Sequence, residues 1–149
     1  MKFLTGGHAI MVQIISGKKG KGKTKYLLEK ANQSASQASG SVVYLDKSTK
    51  HMYELSRQVR LINVSDYALH SYDAFYGFIC GIISQDHDIE VMYLDSFLKL
   101  ASLEGEDIRN AVTDFGTLSE KYNIEFVLSV SEDKDNLSDE VQKHVVISL

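Results

Sequence analysis

The residues best suited to chemistry lie near the start of the chain, at positions 17–24, which read GKKGKGKT. This string matches G-x-x-x-x-G-K-[ST], a glycine-rich loop whose backbone N–H groups surround phosphate oxygens. In such a loop the lysine, here Lys23, reaches the β- and γ-phosphates of a nucleotide, and the hydroxyl of Thr24 binds Mg²⁺. The motif therefore predicts a site for ATP with Mg²⁺.

The segments on both sides of the loop support this prediction. The apolar residues 12–15 are typical of a strand, and a helical pattern runs from about 23 to 34. A helix that begins at the loop directs the positive end of its dipole toward a bound anion. A chance match by a basic surface loop is the alternative, and the agreement of strand, loop and helix disfavours it. The predicted nucleotide contacts are Gly17, Lys18, Lys19, Gly20, Lys21, Gly22, Lys23, Thr24 and Lys25.

A second candidate is Asp95, which ends the apolar strand predicted at 89–95. In open α/β sheets ligands bind beside the C-terminal ends of the strands. Mg²⁺ on a nucleotide also needs a nearby carboxylate, usually through a water molecule. Aspartate often ends a strand for no functional reason, but its pairing with the loop favours a metal role. We therefore predict that Thr24 and Asp95 form the metal site.

Two more polar residues end predicted strands, Asp46 in 41–46 and Ser129 in 124–130. Asp46 could activate a water molecule, and an equally good interpretation is that it caps a short helix predicted within 49–57. Ser129 could lie beside the γ-phosphate, although a hydroxyl in a turn is the simpler interpretation. The predicted catalytic residues are Lys23, Asp46 and Asp95.

Composition limits the class of protein. The net charge of the 149 residues is −4, which gives no support for nucleic-acid binding. The single cysteine, Cys80, excludes an intramolecular disulfide and a four-cysteine zinc site, and we expect it to be buried. No apolar run approaches the roughly 18 residues that span a bilayer, so we expect a cytoplasmic location without a membrane partner.

The alternation of strand and helix patterns predicts one nucleotide-binding domain over residues 1–149, with 1–10 as a frayed leader. Strands separated by helices favour a mostly parallel α/β sheet of about six strands, covered by helices on both faces. Strands are expected at about 12–15, 41–46, 59–64, 89–95, 124–130 and 144–149, and helices at about 23–34, 72–83 and 107–122.

The whole pattern resembles the RecA/KaiC/RadA branch of P-loop ATPases over about residues 11–149. The likeness rests on the loop at 17–24, on VYLD at 43–46, and on YLDSFLKL at 93–100, which is similar to the -IDS- strand of that family. It implies a P-loop NTPase core of the RecA-like type with sheet order 3-2-4-5-1-6. It also implies phosphate and Mg²⁺ roles for Lys23 and Thr24, and the Walker B role for Asp95.

The chain departs from this family in two respects. The family has a catalytic glutamate at or just after the end of strand 2, where this chain reads Asp46-Lys47-Ser48 and has no glutamate before Glu54. The family also works in rings or filaments, with an arginine or lysine from a neighbour, and none of the three arginines here is an obvious candidate. The prediction is therefore a minimal ATPase, slow or regulatory, with a homo-oligomer or a larger protein as the possible partner.

Two other functions stay open. The string GKGKT at 20–24 looks like the phosphate loop of corrinoid adenosyltransferases, and TKYLL at 24–28 is faintly similar to thymidine kinases. A small P-loop transferase or nucleotide kinase is therefore one alternative. A non-catalytic adaptor whose assembly depends on the bound nucleotide is the other.

Overall fold

A computed structural model describes residues 11–149 of the chain. Its strands are β1 (Val12–Ser16), β2 (Ser41–Asp46), β3 (Val59–Asn63), β4 (Ile89–Leu94), β5 (Glu125–Val130) and β6 (Val145–Ser148). Its helices are α1 (Lys23–Gln37), α2 (Tyr72–Gln85), α3 (Phe97–Leu100), α4 (Arg109–Tyr122) and α5 (Asp139–Gln142). The predicted leader at 1–10 lies outside the described residues.

The six strands form one sheet in the order β3-β2-β4-β5-β1-β6. Every pair of neighbouring strands is parallel, so the prediction of a parallel α/β sheet is confirmed. The strand order is the one that the resemblance to RecA-like proteins implies. Parallel strands place all their C-terminal ends at one edge, and the loop at 17–24 leaves β1 at this edge.

Both faces of the sheet are buried. On β2, Val43 and Leu45 belong to a core packed against α2 and α4, whereas Val42 and Tyr44 belong to a second core packed against α1. Burial on both faces explains why the strands read as continuous apolar runs rather than as alternating patterns. Phe115 of α4 lies at the centre of the larger core, with its ring 5.0 Å from that of Phe126.

Several boundaries differ from the sequence prediction. α1 continues to Gln37 rather than ending near 34, because Ala35 is buried against the sheet and extends the apolar face of the helix. The helix expected within 49–57 is only the 3₁₀ turn Met52–Glu54.

Cys80 is half-buried rather than buried. Within residues 11–149, no helix has the length and apolar character that crossing a membrane requires.

The turn between α1 and β2 depends on a close backbone contact at Gly40. A Cβ atom at this position would lie 2.0 Å from the backbone oxygen of Asp88, too close for two non-bonded atoms. We expect Gly40→Ala to lower the free energy of unfolding by about 1–3 kcal/mol, the usual cost of overpacking. Urea denaturation measures this change.

Gly77 provides the matched control for this substitution. It lies inside α2 with open space where a Cβ atom would be placed. Gly77→Ala should therefore raise the free energy of unfolding by about 0.5–1 kcal/mol, since glycine is unfavourable inside a helix. Equal effects of the two substitutions would contradict the steric explanation for Gly40.

Candidate functional site

The glycine-rich loop connects β1 to α1 as the sequence predicts. Gly22 immediately precedes α1 and has φ of 91°, a conformation that residues with a Cβ atom rarely adopt. Its carbonyl oxygen accepts a hydrogen bond from the N–H of Tyr26 at 3.2 Å, which closes the first turn of the helix. The free N–H groups of a helix N-terminus attract anions, and here they lie directly at the loop.

Lys23 is folded back over the loop rather than extended into solvent. It is 7% exposed, and its Nζ donates hydrogen bonds to the backbone oxygens of Gly17 and Lys18. Burial lowers the pKa of Lys23, and the negative charge of Asp95 opposes this change. A buried ammonium whose partners are backbone carbonyls is well suited to accept an anionic ligand.

Asp95 follows β4 and lies at the same edge of the sheet as the loop, which confirms its predicted proximity to Thr24. The Thr24 hydroxyl donates to Oδ1 of Asp95 at 3.2 Å. Ser129 at the end of β5 donates to the same oxygen at 2.9 Å, and the Tyr44 hydroxyl donates to Oδ2 at 2.8 Å. Three hydroxyl donors from α1, β5 and β2 thus hold one buried carboxylate.

Tyr44 is a site residue that sequence reasoning missed. Burial, followed by the negative charge of Asp95, raises the pKa of Tyr44, so its hydroxyl keeps its proton and remains a donor. Ser129 was a candidate for the γ-phosphate, but its one proton goes to Asp95 and its oxygen accepts from the N–H of Ser96 at 2.7 Å. Both residues therefore orient Asp95.

Asp46 is almost completely buried at the end of β2, with 3% of its surface exposed. Its Oδ1 accepts from the N–H of Lys47 at 2.7 Å, whereas Oδ2 has no hydrogen-bond partner among the described residues. Burial raises the pKa of Asp46, and the charge of Asp95 raises it further. The expected role as a helix cap is wrong, because the next helical turn begins only at Met52.

These side chains surround one cleft of about 520 Å³. The predicted site residues that line it are Lys19, Gly20, Gly22, Lys23, Thr24, Asp46, Asp95 and Ser129. Gly17 and Lys18 do not line the cleft, and they contribute the carbonyls that hold Lys23. Lys21 and Lys25 are exposed and do not line it. Lining residues that the motifs did not indicate include Lys47, Ser48, Lys50, His51 and Lys99.

The donor set at Thr24 and Asp95 fits a magnesium ion on a nucleotide. Among residues 11–149, no group of three or more His, Cys, Asp or Glu side chains is arranged to hold a metal ion alone. Mg²⁺ normally takes only one or two carboxylates from the protein and completes its shell with water and phosphate oxygens. A hydroxyl and a carboxylate 3.2 Å apart beside the glycine-rich loop satisfy this requirement.

No protein-family model matches the chain, and a search of curated proteins returned no match.

Proposed function

We propose that this chain is a minimal P-loop NTPase of the RecA-like type, which binds ATP with Mg²⁺ in the cleft and hydrolyses it slowly. The observation that carries the proposal is the contact between Thr24 and Asp95 beside the buried Lys23. This contact joins the two motifs, which are 71 residues apart in sequence. The observed strand order supports the same class of protein.

Each part of the nucleotide tail has a complementary group in the cleft. The N-terminus of α1 and Lys23 supply positive charge for the β- and γ-phosphates. Thr24 and Asp95 would hold Mg²⁺, which neutralises phosphate charge when bound. Asp46 also lines the cleft, and its Oδ2 is buried without a partner among the described residues, so we assign it to orienting water once the bound nucleotide brings a water molecule to that oxygen.

The arginines do not complete this site from within the described chain. Arg109 pairs with Asp107 at 2.7 Å, Arg60 approaches Asp86 at 3.9 Å, and neither lines the cleft. Arg57 does not line the cleft either. The arginine that accelerates many phosphoryl-transfer reactions would therefore have to come from a second copy or from another protein.

Asp95→Asn tests the metal part of the proposal. We expect ATP to bind this variant with nearly wild-type affinity in EDTA, because the amide keeps the size of the carboxylate. The gain in ATP affinity on adding Mg²⁺ should be smaller than in the wild type, because the variant lacks the charge that attracts the ion. Isothermal titration calorimetry of ATP with EDTA and with Mg²⁺ measures both quantities.

Asp114→Asn is the matched control, since Asp114 lies on α4, accepts from the hydroxyl of Tyr72 and does not line the cleft. Its Mg²⁺ dependence should equal that of the wild type. If Asp95→Asn and the wild type respond equally to Mg²⁺, the metal assignment is wrong. If the wild type does not bind ATP at all, the whole proposed function fails.

A further inference from the structure

The cleft has a second basic wall, formed by residues 47–51 between β2 and the turn Met52–Glu54. This basic segment has the sequence KSTKH, and the motif analysis gave it no role. Four of its five residues line the same cleft as the glycine-rich loop, namely Lys47, Ser48, Lys50 and His51. The segment therefore adds positive charge that does not belong to the loop.

The sheet places the basic segment at one particular end of the site. The N–H of Asp95 donates to the backbone oxygen of Leu45 at 3.0 Å, which joins the ends of β4 and β2. Asp95 also contacts Thr24, and the basic segment begins two residues after Leu45. In the proposed binding mode, Lys23 binds the β- and γ-phosphates and Thr24 binds the Mg²⁺ on them. The part of the nucleotide nearest to the basic segment is therefore the γ-phosphate, which is the terminal phosphate of ATP.

Local hydrogen bonds give the segment a defined shape. The N–H of Lys47 donates to Asp46, and the N–H of Lys50 donates to the hydroxyl of Ser48 at 3.2 Å. His51 Nδ1 lies 2.6 Å from Oε2 of Glu54, which fixes the orientation of the ring. The side chains therefore extend from an ordered backbone, which reduces the entropy lost when they bind a ligand.

The lysines of the segment have charge available for a ligand. Among residues 11–149, neither Lys47 nor Lys50 forms an ion pair within 4 Å. The cleft is also lined by four carboxylates, those of Asp46, Asp95, Glu104 and Glu132, and none of them lies within 4 Å of the ammonium group of either lysine. An exposed lysine is usually only solvated, but two lysines and a histidine on the wall of the cleft that the glycine-rich loop lines form a surface that attracts an anion.

We infer that the basic segment is a subsite for the terminal phosphate, through which the protein distinguishes a nucleoside triphosphate from a diphosphate. This inference rests on the proposed function, because it requires a nucleotide on the glycine-rich loop. The cations come from the chain itself, so recognition of the terminal phosphate needs no neighbouring subunit. Lys50 is the residue expected to contribute most, since Lys47 is also attracted by the adjacent Asp46.

The test compares a non-hydrolysable ATP analogue with ADP, each with Mg²⁺, by isothermal titration calorimetry. We expect Lys50→Ala to weaken binding of the analogue about tenfold, the effect of losing one charge-assisted hydrogen bond. ADP affinity should stay at the wild-type value, because ADP has no γ-phosphate to reach the segment. Lys47→Ala combined with Lys50→Ala should weaken the analogue further and again spare ADP.

Lys143→Ala is the control. Lys143 is exposed just before β6, so it lies near the N-terminal ends of the strands, whereas the cleft lies at their C-terminal ends. This variant should bind both nucleotides like the wild type. Equal losses for analogue and ADP in Lys50→Ala, or no loss for either, would overturn the inference while leaving the proposed function intact. If the wild type binds neither nucleotide, both fail.

Discussion

Lys23→Ala is expected to make the free energy of ATP binding less favourable by about 2–5 kcal/mol, which raises the dissociation constant by a factor between about thirty and several thousand. The reason is that Lys23 is buried and its ammonium group already lies over the glycine-rich loop. Removing it leaves phosphate charge beside a helix terminus without its main counterion. Calorimetric titration of ATP with Mg²⁺ measures the loss.

The prediction also includes the conservative variant and a stability control. Lys23→Arg keeps the charge, but a planar guanidinium is larger and directs its donors differently from the ammonium that contacts the backbone oxygens of Gly17 and Lys18, so the affinity of this variant for ATP should also fall. Lys143→Ala should bind ATP like the wild type. Burial of the charged Lys23 side chain is unfavourable in the protein without ligand. The free energy of unfolding of Lys23→Ala, measured by urea denaturation, should therefore not be lower than that of the wild type. If a folded Lys23→Ala variant binds ATP with wild-type affinity, Lys23 does not contact the nucleotide and the prediction is wrong.

The sequence predicts the parts of the site that depend on local spacing. The loop at 17–24 and the start of α1 at Lys23 follow from one short motif, and Asp95 follows from a strand that ends in an acid. The parallel sheet follows from the alternation of strands and helices. Its strand order, which places Asp95 near Thr24, came only from the resemblance to RecA-like proteins and agrees with the structure.

The parts that the sequence does not predict depend on contacts between distant strands. Tyr44 looks like an ordinary strand residue, and Ser129 was a candidate for the γ-phosphate rather than for Asp95. Only the order β2-β4-β5 brings their hydroxyls to opposite oxygens of Asp95. The basic segment at 47–51 matches no motif, and only the structure shows that four of its residues line the cleft. Asp46 was a candidate for water activation and for capping a helix. Because no helical turn begins between Asp46 and Met52, the capping role is wrong.

Hydrolysis of ATP by the isolated chain is expected to be slow, well below the roughly 1–100 s⁻¹ that is typical of kinases. In the proposed binding mode, Lys23, Thr24 and Asp95 would contact groups that are present in the ground state as well as in the transition state. Binding both states equally does not accelerate the chemical step. The lysines of the basic segment would act in the same way if they bind the γ-phosphate as we infer, because they would contact it before it is transferred.

Two contributions to the rate are missing from the described chain. No arginine of residues 11–149 lines the cleft, and an arginine at the γ-phosphate accelerates hydrolysis by roughly 10³–10⁵. Asp46 is the strand-end acid to which we assign the orientation of water, and its side chain is shorter than the glutamate that RecA-like ATPases have near this position. Its raised pKa reflects burial beside Asp95, which makes its charged form more costly.

Faster hydrolysis should therefore depend on a second copy of the chain or on a partner that brings a cation to the γ-phosphate. Phosphate release measured from nanomolar to high micromolar protein tests this expectation, with Lys23→Ala as the blank. A rate per molecule that rises with protein concentration identifies self-assembly as the source of activation. A low and constant rate indicates that a different protein must supply the cation. Fast turnover that stays constant down to nanomolar protein would mean that one chain contains a complete catalytic site, since assembly is lost at such dilution.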